Sequence, residues 1–331
     1  MRTSWKSPIL AVGLAAFAAA SLTLGAVDAA EARTLKWAHV YETASPYHTW
    51  AEWVAEEVKK RSGGELEIEV FPASSLGKES DINEGLTLGT VDIIYTGQLF
   101  AGRAYGPIAI GGSPYMFRDF DHWVHYRDSD LFQDMAAGYR DATGHEVITL
   151  TYYGERHVTS NKEIKQPGDM AKLKIRVPDA PLYTMFPEAV GANPTPIAFA
   201  EVYLALQQGV VDAQENPLPT IQFKKFYEVQ DYITLTGHIT DALLTIVADG
   251  TWNSLSDGEK EMLAGVLKEA ADNCTQDIVK AEQELVAWFR DQGKTVNEVD
   301  RAAFREAVAP LHNGPAATWE QAIYDKLQAI Q

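Results

Sequence analysis

Cysteine, basic residues and long apolar runs are all scarce in this chain, and each shortage excludes something. One cysteine, Cys274, stands among 331 residues, so no internal disulfide and no Cys-x-x-Cys redox or zinc pair can form. Its position on an apolar helical stripe assigns it to packing. Lys and Arg number 28 against 46 Asp and Glu, a net charge of −18. That balance repels phosphate backbones and anionic membrane surfaces, so nucleic acid is not an expected partner. Also missing are the Gly-x-Ser-x-Gly elbow, the Gly-x-x-x-x-Gly-Lys phosphate loop and His-Glu-x-x-His. His122 and His125 lie three apart beside aromatic residues, but without a third ligand they predict a structural pair, and neither metal nor cofactor is expected.

What is present begins at the N-terminus. Arg2 and Lys6 precede an apolar run from Ile9 to Leu24, and Ala30-Glu31-Ala32 supplies the small-x-small pattern read by signal peptidase. The run is short and diluted with Ala, Gly, Ser and Thr, unlike the roughly 20 strongly apolar residues of a spanning helix. A signal peptide over residues 1–32, cleaved after Ala32, and a periplasmic mature chain are therefore expected. Its removal takes Arg2, Lys6, Asp28 and Glu31 and leaves the net charge unchanged. About 300 residues remain, enough for two lobes of ordinary domain size.

Hydrophobic periodicity predicts a strand over Thr34–Val40, a helix through Trp50, Val54 and Val58 up to Gly63-Gly64, and a strand at Leu66, Ile68 and Val70. A helix from Ser80 to about Leu88 and a strand over Val91–Tyr95 follow. Such alternation implies an α/β lobe with a mainly parallel sheet, whose ligand loops lie beyond the carboxyl ends of the strands: His39–Glu42, Ser74–Lys78 and Thr96–Gln98. Val147–Tyr153 and Leu173–Val177 read as strands, Glu201–Gln208 as a helix ending at Gly209, and Val210–Asp212 as a short strand, implying a second α/β lobe. From Ser256 the residues Leu263, Leu267, Ala270, Cys274, Ile278, Ala281, Leu285 and Trp288 recur at three- and four-residue steps. They predict one long helix that crosses both lobes and packs as a globular element, not a coiled coil. No internal repeat is evident.

Two cations stand out in this acidic chain. Arg176, in Lys-Ile-Arg-Val-Pro, and Arg156, in Tyr-Gly-Glu-Arg-His-Val-Thr-Ser, each follow or end a predicted strand. Converging on one cleft, two guanidinium groups would make an anion site, because the planar fork matches a carboxylate with parallel hydrogen bonds. Spacing alone leaves open that each merely pairs with one of the many acids.

Three ordered segments go further: Lys174-Ile175-Arg176-Val177-Pro178, Phe199-Ala200-Glu201-Val202-Tyr203-Leu204-Ala205-Leu206-Gln207 and Val211-Asp212-Ala213-Gln214-Glu215-Asn216-Pro217. With Ser75-Leu76-Gly77, Leu88-Gly89-Thr90-Val91-Asp92 and Ser113-Pro114-Tyr115-Met116-Phe117, they resemble the substrate-binding subunit (DctP-type) of tripartite ATP-independent periplasmic (TRAP) transporters. The resemblance covers essentially the whole mature chain. It implies an α/β, two-lobed periplasmic binding protein that closes like a clamshell on an organic acid and delivers it to an ion-gradient-driven membrane permease, with no reaction catalysed. The expected lobes are 33–153 with 242–281, and 154–241 with 282–331, in a monomer.

By the same resemblance Arg176 grips the ligand carboxylate, Arg156 is an accessory arginine, Asn216 hydrogen-bonds the same end and Phe199 forms an aromatic wall. Glu155 and Ala213 depart from the family pattern, and Glu155 is placed to neutralise Arg156. The opposite lobe would contribute His39, Tyr41, Glu42 and Gln98, with Tyr95 as a further aromatic surface. The residues favour a sugar-acid or aromatic monocarboxylate over a C4 dicarboxylate. A binding protein of an ATP-driven importer, a secreted enzyme and a sensory binding protein are the competing readings.

Overall fold

A computed structural model describes Met1 and residues 32–331, and the proposed signal peptide and its cleavage site lie outside the described residues apart from Met1 and Ala32. Nine strands form one continuous sheet: β1 (Arg33–Ala38), β2 (Leu66–Phe71), β3 (Ile93–Gly97), β4 (Glu146–Ser160), β5 (Lys174–Val177), β6 (Asn193–Pro196), β7 (Ala213–Pro217), β8 (Tyr232–Val247) and β9 (Thr295–Asn297). Their order is β2-β1-β3-β8-β4-β7-β5-β6, with β9 beside β8. The strands β1, β2 and β3 pair in parallel, as do β5, β6 and β7, while β4 and β8 run antiparallel to each other and to β7 and β3 respectively, and β9 lies parallel to β8. β4 and β8 thus pass through the middle of the molecule, and each serves both halves.

Local sequence explains most elements. β1 buries Leu35 and Trp37 and exposes Thr34 and Lys36, the period-2 pattern of a strand. The helix Pro46–Arg61 starts where the Ser45 side chain accepts from His48 N and Pro46 fills the first position. The long helix Asp257–Asp291 is closed at its start by a capping box of Ser256 and Glu259. It buries Leu263, Leu267, Cys274 and Ile278 in the larger apolar cluster and Leu285 and Phe289 in a smaller one, so it ties both halves together. No helix among the described residues is long and apolar enough to cross a membrane.

Three expectations need correction. The predicted short strand Val210–Asp212 is a turn, and the strand begins at Ala213. Val210 is exposed, while Asp212 leaves the turn to accept Lys174 N at 3.2 Å. The 16-residue strand β8 was not expected at all. An internal repeat also exists in structure. Lys36 and Asp92 bond in both directions across β1 and the start of β3, and Lys174 and Asp212 do the same across β5 and β7. Each unit enters its strand from a left-handed glycine, Gly89 or Gly209, both with φ of 68°.

Candidate ligand-binding cleft

The two parallel units face each other across a cleft of about 510 Å³, counting its open mouth. Arg176, the third residue of β5, is 2% exposed. Its Nε and Nη2 donate to Ile197 O at 2.9 and 2.7 Å, which fixes the guanidinium plane. Nη1 is buried with no partner among the described residues. Burial lowers its pKa to about 10, so it stays cationic at neutral pH. A buried charged donor without an acceptor loses its hydration uncompensated, and a ligand anion is the group that restores it. The Phe199 ring lies 5.9 Å from this guanidinium.

β7 is fully buried although it reads Ala-Gln-Glu-Asn-Pro. A polar run in a central strand violates the rule for cores, and such violations mark functional sites. Asn216 donates from Nδ2 to Gln214 Oε1 at 2.6 Å and accepts at Oδ1 from Tyr153 OH at 3.3 Å. One Nδ2 hydrogen is left over in a residue that lines the cleft with Arg176.

Arg156 lines the same cleft but is already saturated. It forms ion pairs with both Glu215 and Asp241, the latter at 2.9 Å, and Nη2 also donates to Glu215 O at 2.9 Å. Burial pushes the Glu215 carboxyl up, but Arg156 and His238 outweigh it and hold it down to about 2. The expected neutraliser, Glu155, instead makes a two-point pair with Arg301 at 2.9 Å on each arm. It therefore leaves Arg156 to Glu215 and Asp241.

The opposite wall carries Tyr41, whose ring is 6.2 Å from that of Phe199. Other residues expected there lie elsewhere. His39 is buried, contacts His48 at 3.2 Å and accepts Tyr41 N, and burial together with His48 holds its ring down to about 3. Tyr95 packs 4.9 Å from Trp37 in the core. Gln98 is fully buried against Gly111 and Gly112. Past the end of β1 the chain leaves the strand, and Val40 and Tyr41, not His39, line the cleft. Glu42 borders a smaller side pocket and pairs with Lys224 at 2.6 Å. The cleft also includes Glu79, Tyr153, Tyr183 and Asp241, none of them anticipated. Glu79 sits one residue past the Ser74–Lys78 loop, and its position after the carboxyl end of β2 was the available signal.

The family described as bacterial extracellular solute-binding protein, family 7 (DctP), matches residues 37–318. This chain belongs to that family, the solute-binding subunits of TRAP transporters. It is 35% identical to the sialic acid-binding periplasmic protein SiaP of Vibrio cholerae over 316 residues, 94% of this chain and 97% of the relative. A TRAP periplasmic solute-binding protein from Polaromonas, bound to D-erythronate, superposes with a TM-score of 0.86 at 31% identity, covering 90% of this chain and 99% of its own. One from Bordetella bronchispeptica, with pantoate fitted to its density, gives 0.86 at 33% identity over the same shares. The two-lobed architecture and the long helix are thus those of TRAP solute-binding proteins, which are periplasmic receptors of a transport system and not enzymes.

Proposed function

We propose that this TRAP solute-binding protein captures a small organic acid by one carboxylate, held by Arg176 and Asn216 and covered by Phe199 and Tyr41. The acid is then delivered, unchanged, to an ion-gradient-driven permease. The observation that carries this reading is the unpaired, buried Nη1 of Arg176 inside a cleft. In a chain of net charge −18 a free buried cation is conspicuous, since an acid was available for pairing nearly everywhere.

Residues 1–32 act as the export signal, and the mature chain works as a periplasmic monomer whose lobes, 33–153 with 242–281 and 154–241 with 282–331, close on the ligand. The Glu42–Lys224 pair and the contacts of Arg103 and Lys78 with Asp179 bridge the two lobes at the mouth and favour the closed state. Arg156 positions the floor of the cleft through Glu215 and Asp241.

The test is a thermal-shift screen of residues 33–331 against sugar acids, aromatic acids, keto acids and dicarboxylates, repeated with Arg176→Ala. A ligand at 100 times its Kd adds about 2.7 kcal/mol. One acid class should raise the Tm of the wild type and fail to move that of the folded variant. A response to neutral or cationic compounds only, or an equal response from Arg176→Ala, contradicts the assignment.

A further inference from the structure

The cleft that takes a bare cation from one unit takes an acid from the other. Glu79 opens the helix Glu79–Leu88, and its Oε1 accepts from Gly97 N at 2.8 Å and Thr96 Oγ1 at 3.0 Å. Those two bonds fix the carboxyl, while Oε2 has no hydrogen-bond partner among the described residues. Burial raises the Glu79 pKa to about 7, with Asp241 adding to the rise and Gly97, Thr96 and Arg156 opposing it. Asp241 lines the cleft beside Glu79, its own charge committed to Arg156 and Ala242 N.

We propose that Glu79 is a specificity-determining residue, selecting acids whose end remote from the carboxylate carries hydroxyl groups and rejecting those that end in a second carboxylate. This rests on the carboxylate-clamp reading of Arg176. A hydroxyl donates to the open Oε2 without adding charge. A second carboxylate arrives beside Glu79 and Asp241 and meets like charge, while the other cations lining the cleft, Arg156 and Lys78, are already paired with acids.

The test is calorimetric titration of wild type, Glu79→Gln and Arg176→Ala with two length-matched pairs, D-erythronate against succinate and D-gluconate against adipate. For at least one pair, wild type should bind the polyhydroxy acid at least about tenfold more tightly than the dicarboxylate, and Glu79→Gln should narrow that ratio about fivefold or more. If in neither pair wild type prefers the polyhydroxy acid by about tenfold and Arg176→Ala abolishes the binding that is seen, the inference falls while the carboxylate clamp stands. An unchanged ratio in Glu79→Gln also overturns it. If no member of either pair binds wild type, this inference falls, and the clamp reading is decided by the wider acid screen.

Discussion

The repeated β-helix-β units put different chemistry on the same frame. Register equates Ala38 with Arg176, Tyr95 with Glu215 and Thr96 with Asn216, because Trp37 pairs with Ile93 as Ile175 pairs with Ala213. In the first unit these positions are neutral, and the Thr96 hydroxyl and Gly97 N serve to hold Glu79. In the second they are charged or amide-bearing, and one of them, Arg176, keeps a donor unpaired. The sheet supplies position and leaves the identity of each group free, so one fold can set a cation and an acid across a cleft without altering its hydrogen-bonded frame.

A second contrast lies within the cationic wall. Arg156 and Arg176 are both 2% exposed, yet the first has two acid partners and the second has none. Arg156→Ala strands Glu215 and Asp241 as buried charges, and denaturant unfolding should show a loss of about 3–5 kcal/mol. Equal stability of the variant and wild type would erase the distinction. Gly154, at φ of 120° where β4 shifts register, would bring an added Cβ within 2.7 Å of Pro217 Cβ and 2.8 Å of Glu282 Oε1. Gly154→Ala should therefore cost about 1–3 kcal/mol in the same assay.

The acidic wall is sharpened by pH. A carboxyl raised from 4.5 to about 7 in the folded chain binds its proton more tightly folded than unfolded. Its contribution is favourable below about 4.5 and is lost as pH rises through about 7. Glu79→Gln should accordingly gain on the order of 2 kcal/mol relative to wild type at pH 8, with the gap closing below pH 4.5, as read from chemical denaturation across pH. Glu282, on the long helix, behaves alike, raised to about 8 by burial, with Glu155 N and Tyr152 OH opposing the rise. The smallest effect belongs to the mouth. Lys224→Ala should change stability by under about 1 kcal/mol, yet speed ligand release in stopped-flow traces if, as proposed, the Glu42–Lys224 pair latches the closed state.

Much of the fold was legible because buried faces recur with the period of their element: β1, the helix Pro46–Arg61 and the long helix carry clear stripes. β8 was not, since its residues are buried on both faces over most of its length and no alternation marks them. The repeat escaped because its sequence trace is short, a Leu-x-x-Gly-x-Val-Asp run at 86–92 and again at 206–212, while the rest is conserved only in hydrogen bonds and register. Within the site, Arg176, Arg156, Asn216, Phe199 and Tyr41 line the cleft, whereas His39, Tyr95 and Gln98 turned inward. A loop named as a ligand loop does not say which of its side chains faces the ligand. Glu79 was hidden among 46 acids, with its place beyond the carboxyl end of β2 as the one pointer to it.

The most direct test of the bare-cation account is calorimetric titration of Arg176→Ala and Arg176→Lys with the tightest acid found for the wild type. The account predicts folded variants, no detectable heat with alanine, and binding weakened on the order of a hundredfold with lysine, which lacks the planar fork. Wild-type affinity in either variant would show that Arg176 is structural and that the carboxylate is held elsewhere.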